Sequence, residues 1–124
     1  MSDPHRLTRQ EEFARVMRQG QTQSSQLLLL RAAPNQLNTS RFGYAISKQV
    51  GTAVVRNLVR RRLREIVHQM PVKNGWDMVI TARKASAGAS FSTLKVAFET
   101  LIQRAGLLDK PELPGGLASP KGVK

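Results

Sequence analysis

The sequence predicts a single α/β sandwich domain, and three observations carry that prediction. Residues 41–47 (RFGYAIS) and 76–82 (WDMVITA) have strand character and flank a long amphipathic stretch, residues 51–68 (GTAVVRNLVRRRLREIVH), which is the layout of a βαβ unit. A further stretch repeats its apolar residues at helical spacing: Leu94, Ala97, Phe98, Leu101, Ile102 and Ala105. At 124 residues, finally, the chain has room for one modest core and is too short for two ordinary domains.

Taken in order, the elements begin with a short helix. Thr8 followed by Glu11 has the spacing of a capping box, Phe13 and Met17 share one stripe, and Gly20 is the expected stop. A polar connection leads to residues 26–33, whose LLLL run suits either a strand buried on both faces or a short helix; Pro34, Asn35 and Asn38 mark the turn after it. In the next strand Phe42, Tyr44 and Ile46 alternate with Gly43, Ala45 and Ser47, so one face is bulky and the other small enough for a helix or a ligand to approach closely.

The basic stretch follows, started by Gly51 or Thr52. On a wheel of roughly 100° per residue, Val55, Val59, Leu63, Ile66, Val67 and Met70 form one arc. Asn57, Arg60, Arg61, Arg64 and His68 form the arc beside it, while Arg62 points elsewhere. A break at residues 71–75 precedes the strand at 76–82, which carries Met78 and Ile80 on one side, and the last helix ends at Gly106. The residues give the order helix, two or three strands, basic helix, strand, helix, and the domain is expected over residues 1–108 with about four strands in the order α-β-β-β-α-β-α. Residues 109–124, rich in Pro, Gly and Lys, are expected to be a disordered basic tail.

Charge points to the partner. Twenty Lys plus Arg against eight Asp plus Glu leave a net charge of +12, which favours a polyanion. Five arginines (Arg56, Arg60, Arg61, Arg62, Arg64) fall within nine residues beside one acid, Glu65. A merely solvated helix face would carry more acidic partners, whereas a row of guanidinium forks held by a docked helix suits phosphates. Other basic residues, including Arg15, Arg18, Arg41, Lys48 and Arg83, suggest a broad footprint.

Several chemistries lack their residues. Cysteine is absent, His5 and His68 have no metal-ligand spacing, Glu11 and Glu12 point to different sides of their helix, and Asp77 is a lone acid at a strand start. No phosphate-binding GxxxxGK[ST] loop or GxSxG elbow occurs. No catalytic or metal-binding residue is therefore assigned to the protein. The longest apolar run, residues 27–30, is far short of a membrane span, and the expectation is a soluble cytoplasmic protein with no membrane association and no obligate protein partner.

The segments RLTRQEEFARVMRQG, RFGYAISKQVGTAVVRNLVRRRLRE and WDMVITARKAS together resemble the protein subunit of bacterial ribonuclease P, over nearly all of residues 6–107. The central block is the most specific: Gly51, Ala53, Val54, Arg56, Asn57, Arg60, Arg61, Arg64 and Glu65 match the family pattern in register. Two positions depart from it, since Leu58 stands where the family has the third residue of RNR and Gln49 where it has a second lysine; Met17 also replaces an aromatic.

The resemblance implies a left-handed βαβ crossover, unusual for such units. It implies that an RNA partner using Mg2+ is the catalyst, removing the 5′ leader of precursor tRNA. Lys48, Arg56, Asn57, Arg60, Arg61 and Arg64 would contact that catalytic RNA. Phe13, Met17, Ala45 and Ser47 would line a cleft for the single-stranded leader. Composition alone also fits a structural RNA-binding protein of the ribosome-associated kind, or a DNA-binding module with the arginine helix in a major groove.

Overall fold

The computed structural model describes residues 5–109 and contains seven main elements. They are α1 (Gln10–Gln19), β1 (Gln21–Ser24), β2 (Leu28–Pro34), β3 (Arg41–Ile46), α2 (Ala53–Gln69), β4 (Trp76–Ala82) and α3 (Phe91–Ala105), with short 3-10 turns at Lys48–Val50 and Lys84–Gly88. The tail expected at 109–124 lies, beyond Asp109, outside the described residues.

The sheet order is β1-β2-β4-β3, so the last strand in sequence inserts between its two predecessors, antiparallel to β2 and parallel to β3. Two adjacent parallel strands joined through α2 make the expected βαβ unit. Strand alternation then divides the sheet into two faces. Leu28, Leu30, Ala32, Met78, Ile80 and Ala82 join Val59, Leu63 and Ile66 of α2 and Leu94, Phe98, Leu101 and Ile102 of α3 in the main core. The opposite face is small, with Ala33 and Val79 packing on Leu7 and Val16. Each fully buried Leu, Ile or Phe contributes roughly 1.5–3 kcal/mol, which makes the α2/α3 face the source of most stability.

Helix boundaries follow local chemistry. The Thr52 hydroxyl accepts the Val55 N–H at 3.4 Å and starts α2. Before it, Gly51 sits at φ 152°, where a Cβ would press on Val55, so glycine is required there. The N-terminus of α1 differs from expectation: the N-cap is Arg9, whose backbone N–H is accepted by Glu12 at 3.3 Å, so the pair of positions lies one residue beyond Thr8 and Glu11. Glu12 is drawn inward because it also binds Arg41, while Glu11 stays exposed beside Arg9.

The stretch read as a polar connection contains β1. Its sequence, QTQS, has no apolar alternation, and it is a strand because its backbone pairs with β2 from Gln21↔Ala32 to Ser24↔Leu29. The Ser25 hydroxyl ties the turn by accepting the N–H groups of Leu27 (3.3 Å) and Leu28 (3.1 Å).

Candidate nucleic-acid interface

The apolar arc of α2 docks as its spacing requires, with Val59, Leu63, Ile66 and Val67 buried. Docking fixes the rotation of the helix, and the neighbouring arc then faces outward along the outer edge of β3. Arg60 and Arg64, one turn apart, line a hollow of about 290 Å³ together with Arg6, Thr8, Phe13 and Tyr44. Arg60 is held by a hydrogen bond from its Nη1 to Asn57 Oδ1 at 3.0 Å. Arg61 is exposed beside them, and Lys48 is exposed on the turn before the helix. Arg56 is half-buried, and its Nε is a buried donor without a hydrogen-bond partner among the described residues.

Among the described residues, none of the five α2 arginines forms an ion pair with an acid. The nearby Glu65 accepts a hydrogen bond from Gln69 Nε2 at 3.2 Å instead. Arg62 leaves the row, its Nη1 donating to the carbonyl of Ala89 at 2.8 Å at the entrance to α3. Four guanidinium groups that meet no carboxylate among the described residues, held on one docked helix, suit phosphates.

On the other face, the residues assigned to a cleft divide into two sets. Phe13 lies directly on Gly43, where any Cβ would overlap its ring, and packs with Ala45 beside Leu7, Val16, Ala33 and Val79. The small face of β3 is thus used for close approach of the α1 aromatic. Met17, one turn further along α1, is exposed, and its sulfur accepts from Arg31 Nη1 at 3.2 Å. Ser47 lies past the end of β3, where its hydroxyl caps the following turn by accepting the Gln49 N–H at 3.1 Å.

Asp77 is not a lone acid. It is fully buried, with Arg41 bidentate upon it (Nε to Oδ1 2.8 Å, Nη2 to Oδ2 2.7 Å). Arg15 Nη2 donates to Oδ2 at 2.8 Å and Asn35 Nδ2 to Oδ1 at 2.9 Å. Arg41 Nη1 reaches Glu12 Oε2 at 2.8 Å, and Arg15 Nη1 reaches the Pro34 carbonyl at 3.0 Å. Burial alone would raise the Asp77 carboxyl; the hydrogen bonds from Arg41, then Asn35, together with the charge of Arg41 and the Arg15 contact, outweigh it and hold the group below the ordinary carboxylate value. Arg15 and Arg41 therefore leave the basic footprint and join the fold. The cross-strand register, which sets Arg41 opposite Asp77, was the one signal that would have revealed this. Arg6 belongs to the dispersed basic footprint, but its place beside the ridge, with Thr8 and Tyr44, comes only from the tertiary fold.

Among the described residues, no three His, Cys, Asp or Glu side chains converge as a metal site, and no helix is long and apolar enough to cross a membrane.

The family model described as Ribonuclease P matches residues 1–106. The chain is 40% identical over 110 residues to the ribonuclease P protein component of Dehalococcoides mccartyi, covering 89% of this chain and 92% of that protein. It is 42% identical over 111 residues to the corresponding protein of Roseiflexus castenholzii, covering 87% and 91%. Among solved structures, the RNase P protein of Staphylococcus aureus superposes with a TM-score of 0.78 at 22% identity, covering 86% of this chain and all of that one. That of Thermotoga maritima gives 0.74 at 24%, covering 80% and 96%. With the fold in agreement, the family model and the relatives at about 40% identity establish that the chain belongs to the ribonuclease P protein component family.

Proposed function

We propose that this chain is the RNA-binding subunit of a cytoplasmic ribonucleoprotein endonuclease, in which a catalytic RNA using Mg2+ removes the 5′ leader of precursor tRNA. The observation that carries the proposal is the row of α2 arginines without acid partners. Arg60, Arg61 and Arg64, flanked by Arg56, Asn57 and Lys48, contact phosphates of the catalytic RNA, and binding gains from counterion release. The leader lies against the α1 face, where Phe13, Ala45, Met17 and Ser47 supply an aromatic and a small polar surface. Base stacking on an aromatic is worth about 1–3 kcal/mol per base.

The protein's contribution is positioning and charge. Two polyanions must approach each other, and a protein of net charge +12 supplies positive charge that divalent ions would otherwise provide. The test is cleavage of precursor tRNA titrated over Mg2+ and leader length, with and without the protein. The expected result is that the protein lowers the Mg2+ requirement of the RNA, and more so for leaders of several nucleotides than for those of one or two. Cleavage by the protein alone, or selective binding to ribosomal RNA instead, would overturn the proposal. An effect independent of leader length would remove the α1 face from the mechanism.

A further inference from the structure

A second hollow, of about 330 Å³, opens between the outer edge of β3 and the C-terminal half of α2. It shares Phe42, Tyr44 and Arg64 with the hollow beside Phe13, so it adjoins the arginine ridge. Its wall is aromatic and aliphatic, from Tyr44, Met70 and Val72, and its rim carries Arg64, His68 and Asn74. Arg64 and His68 are four residues apart on one helix and so project side by side. Among the described residues, no carboxylate lines the space.

The far rim is already ordered. The Ser40 hydroxyl donates to the Lys73 carbonyl at 2.6 Å and accepts the Trp76 N–H at 3.0 Å. His5 Nδ1 lies 2.9 Å from the Thr39 hydroxyl and 3.2 Å from the Ser40 carbonyl. A rim held in this way loses little entropy when a ligand enters.

An aromatic wall beneath a guanidinium, an imidazole and an amide, with no acid among the described residues, matches a nucleobase joined to a phosphate. The volume lies at the small end of ligand pockets, about 300–1,000 Å³, which suits one nucleotide and not a run of them. We propose that this hollow receives a single unpaired nucleotide of the catalytic RNA, its base against Tyr44 and Met70 and its phosphate on Arg64 and His68. The inference rests on the proposed function. The catalytic RNA is the source because this hollow, unlike the one beside Phe13, has no α1 residue in its lining and runs on along α2, whereas the leader is assigned to the α1 side.

The chain has no cysteine, so Asn74→Cys introduces a unique thiol for an azidophenacyl cross-linker, with Val96→Cys, exposed on α3, as the control. In the assembled complex, the Asn74 probe should cross-link to one or two unpaired nucleotides of the catalytic RNA, and the Val96 probe should not reach them. Tyr44→Leu should weaken binding of that RNA about five- to hundredfold, the loss expected for one stacked base, while Tyr44→Phe retains the affinity. Removing the base at the cross-linked nucleotide should weaken wild type equally and Tyr44→Leu no further. Cross-links to the leader or to duplex alone, or an abasic loss that adds to that of Tyr44→Leu, would overturn the inference while leaving the proposed function intact. Failure of the wild-type protein to bind the RNA would overturn both.

Discussion

The two arginine clusters of this protein use the same side chain for opposite ends. Under α1, Arg15 and Arg41 converge on a buried carboxylate and are consumed by the fold. Along α2, Arg60, Arg61 and Arg64 meet no carboxylate among the described residues and face outward. The difference lies in what the tertiary structure brings opposite each group. Asp77 is delivered to Arg41 by strand pairing, whereas the only acid within the α2 run, Glu65, is engaged by Gln69. Counting basic residues therefore overstates the interface, and pairing decides which charges remain for a partner.

The largest expected effect breaks the inner cluster. Asp77→Asn removes the charge that two partly buried arginines share, and loss of one member of a buried pair costs about 3–5 kcal/mol, read as a fall in the denaturant midpoint. The pH dependence has a definite sign. The folded chain holds this carboxyl below its ordinary value, so the unfolded chain takes up the proton first on acidification. The contribution is complete above about pH 4 and is lost as pH falls through the folded value. The stability gap between wild type and Asp77→Asn should accordingly be widest above that pH and narrow below it; a gap that widens in acid would contradict the charge assignment.

Next in size is Gly43→Ala. A methyl group there overlaps the Phe13 ring and should cost about 1–3 kcal/mol in thermal unfolding. Gly88→Ala, with open space around the new carbon, serves as the neutral control.

The smallest effects on stability, and the ones that sharpen the comparison, belong to α2. Arg60→Ala and Arg64→Ala should each lower the salt slope of RNA binding by about 1 with the melting temperature nearly unchanged. Arg62→Ala should leave the slope alone and cost about 1 kcal/mol of stability through its bond to the Ala89 carbonyl. Equal slopes for all three variants would erase the distinction between ridge and fold.

The sequence by itself determined what depends on local period and local chemistry. The α2 apolar arc, the outward Arg60 and Arg64, the divergent Arg62, the alternation of β3 and the apolar stripe of α3 all follow from side-chain geometry along one element. Tertiary structure alone decided the rest. It located the first of the three strands before α2 in a polar tetrapeptide, inserted β4 between β2 and β3, and turned Asp77 from a lone acid into the hub of Arg15, Arg41 and Asn35. It also laid Phe13 on Gly43, at the side of the hollow that Arg60 and Arg64 line. Each of these depends on residues 5 to 62 positions apart in the chain, joined by hydrogen bonds or close packing that the period of a single element does not encode.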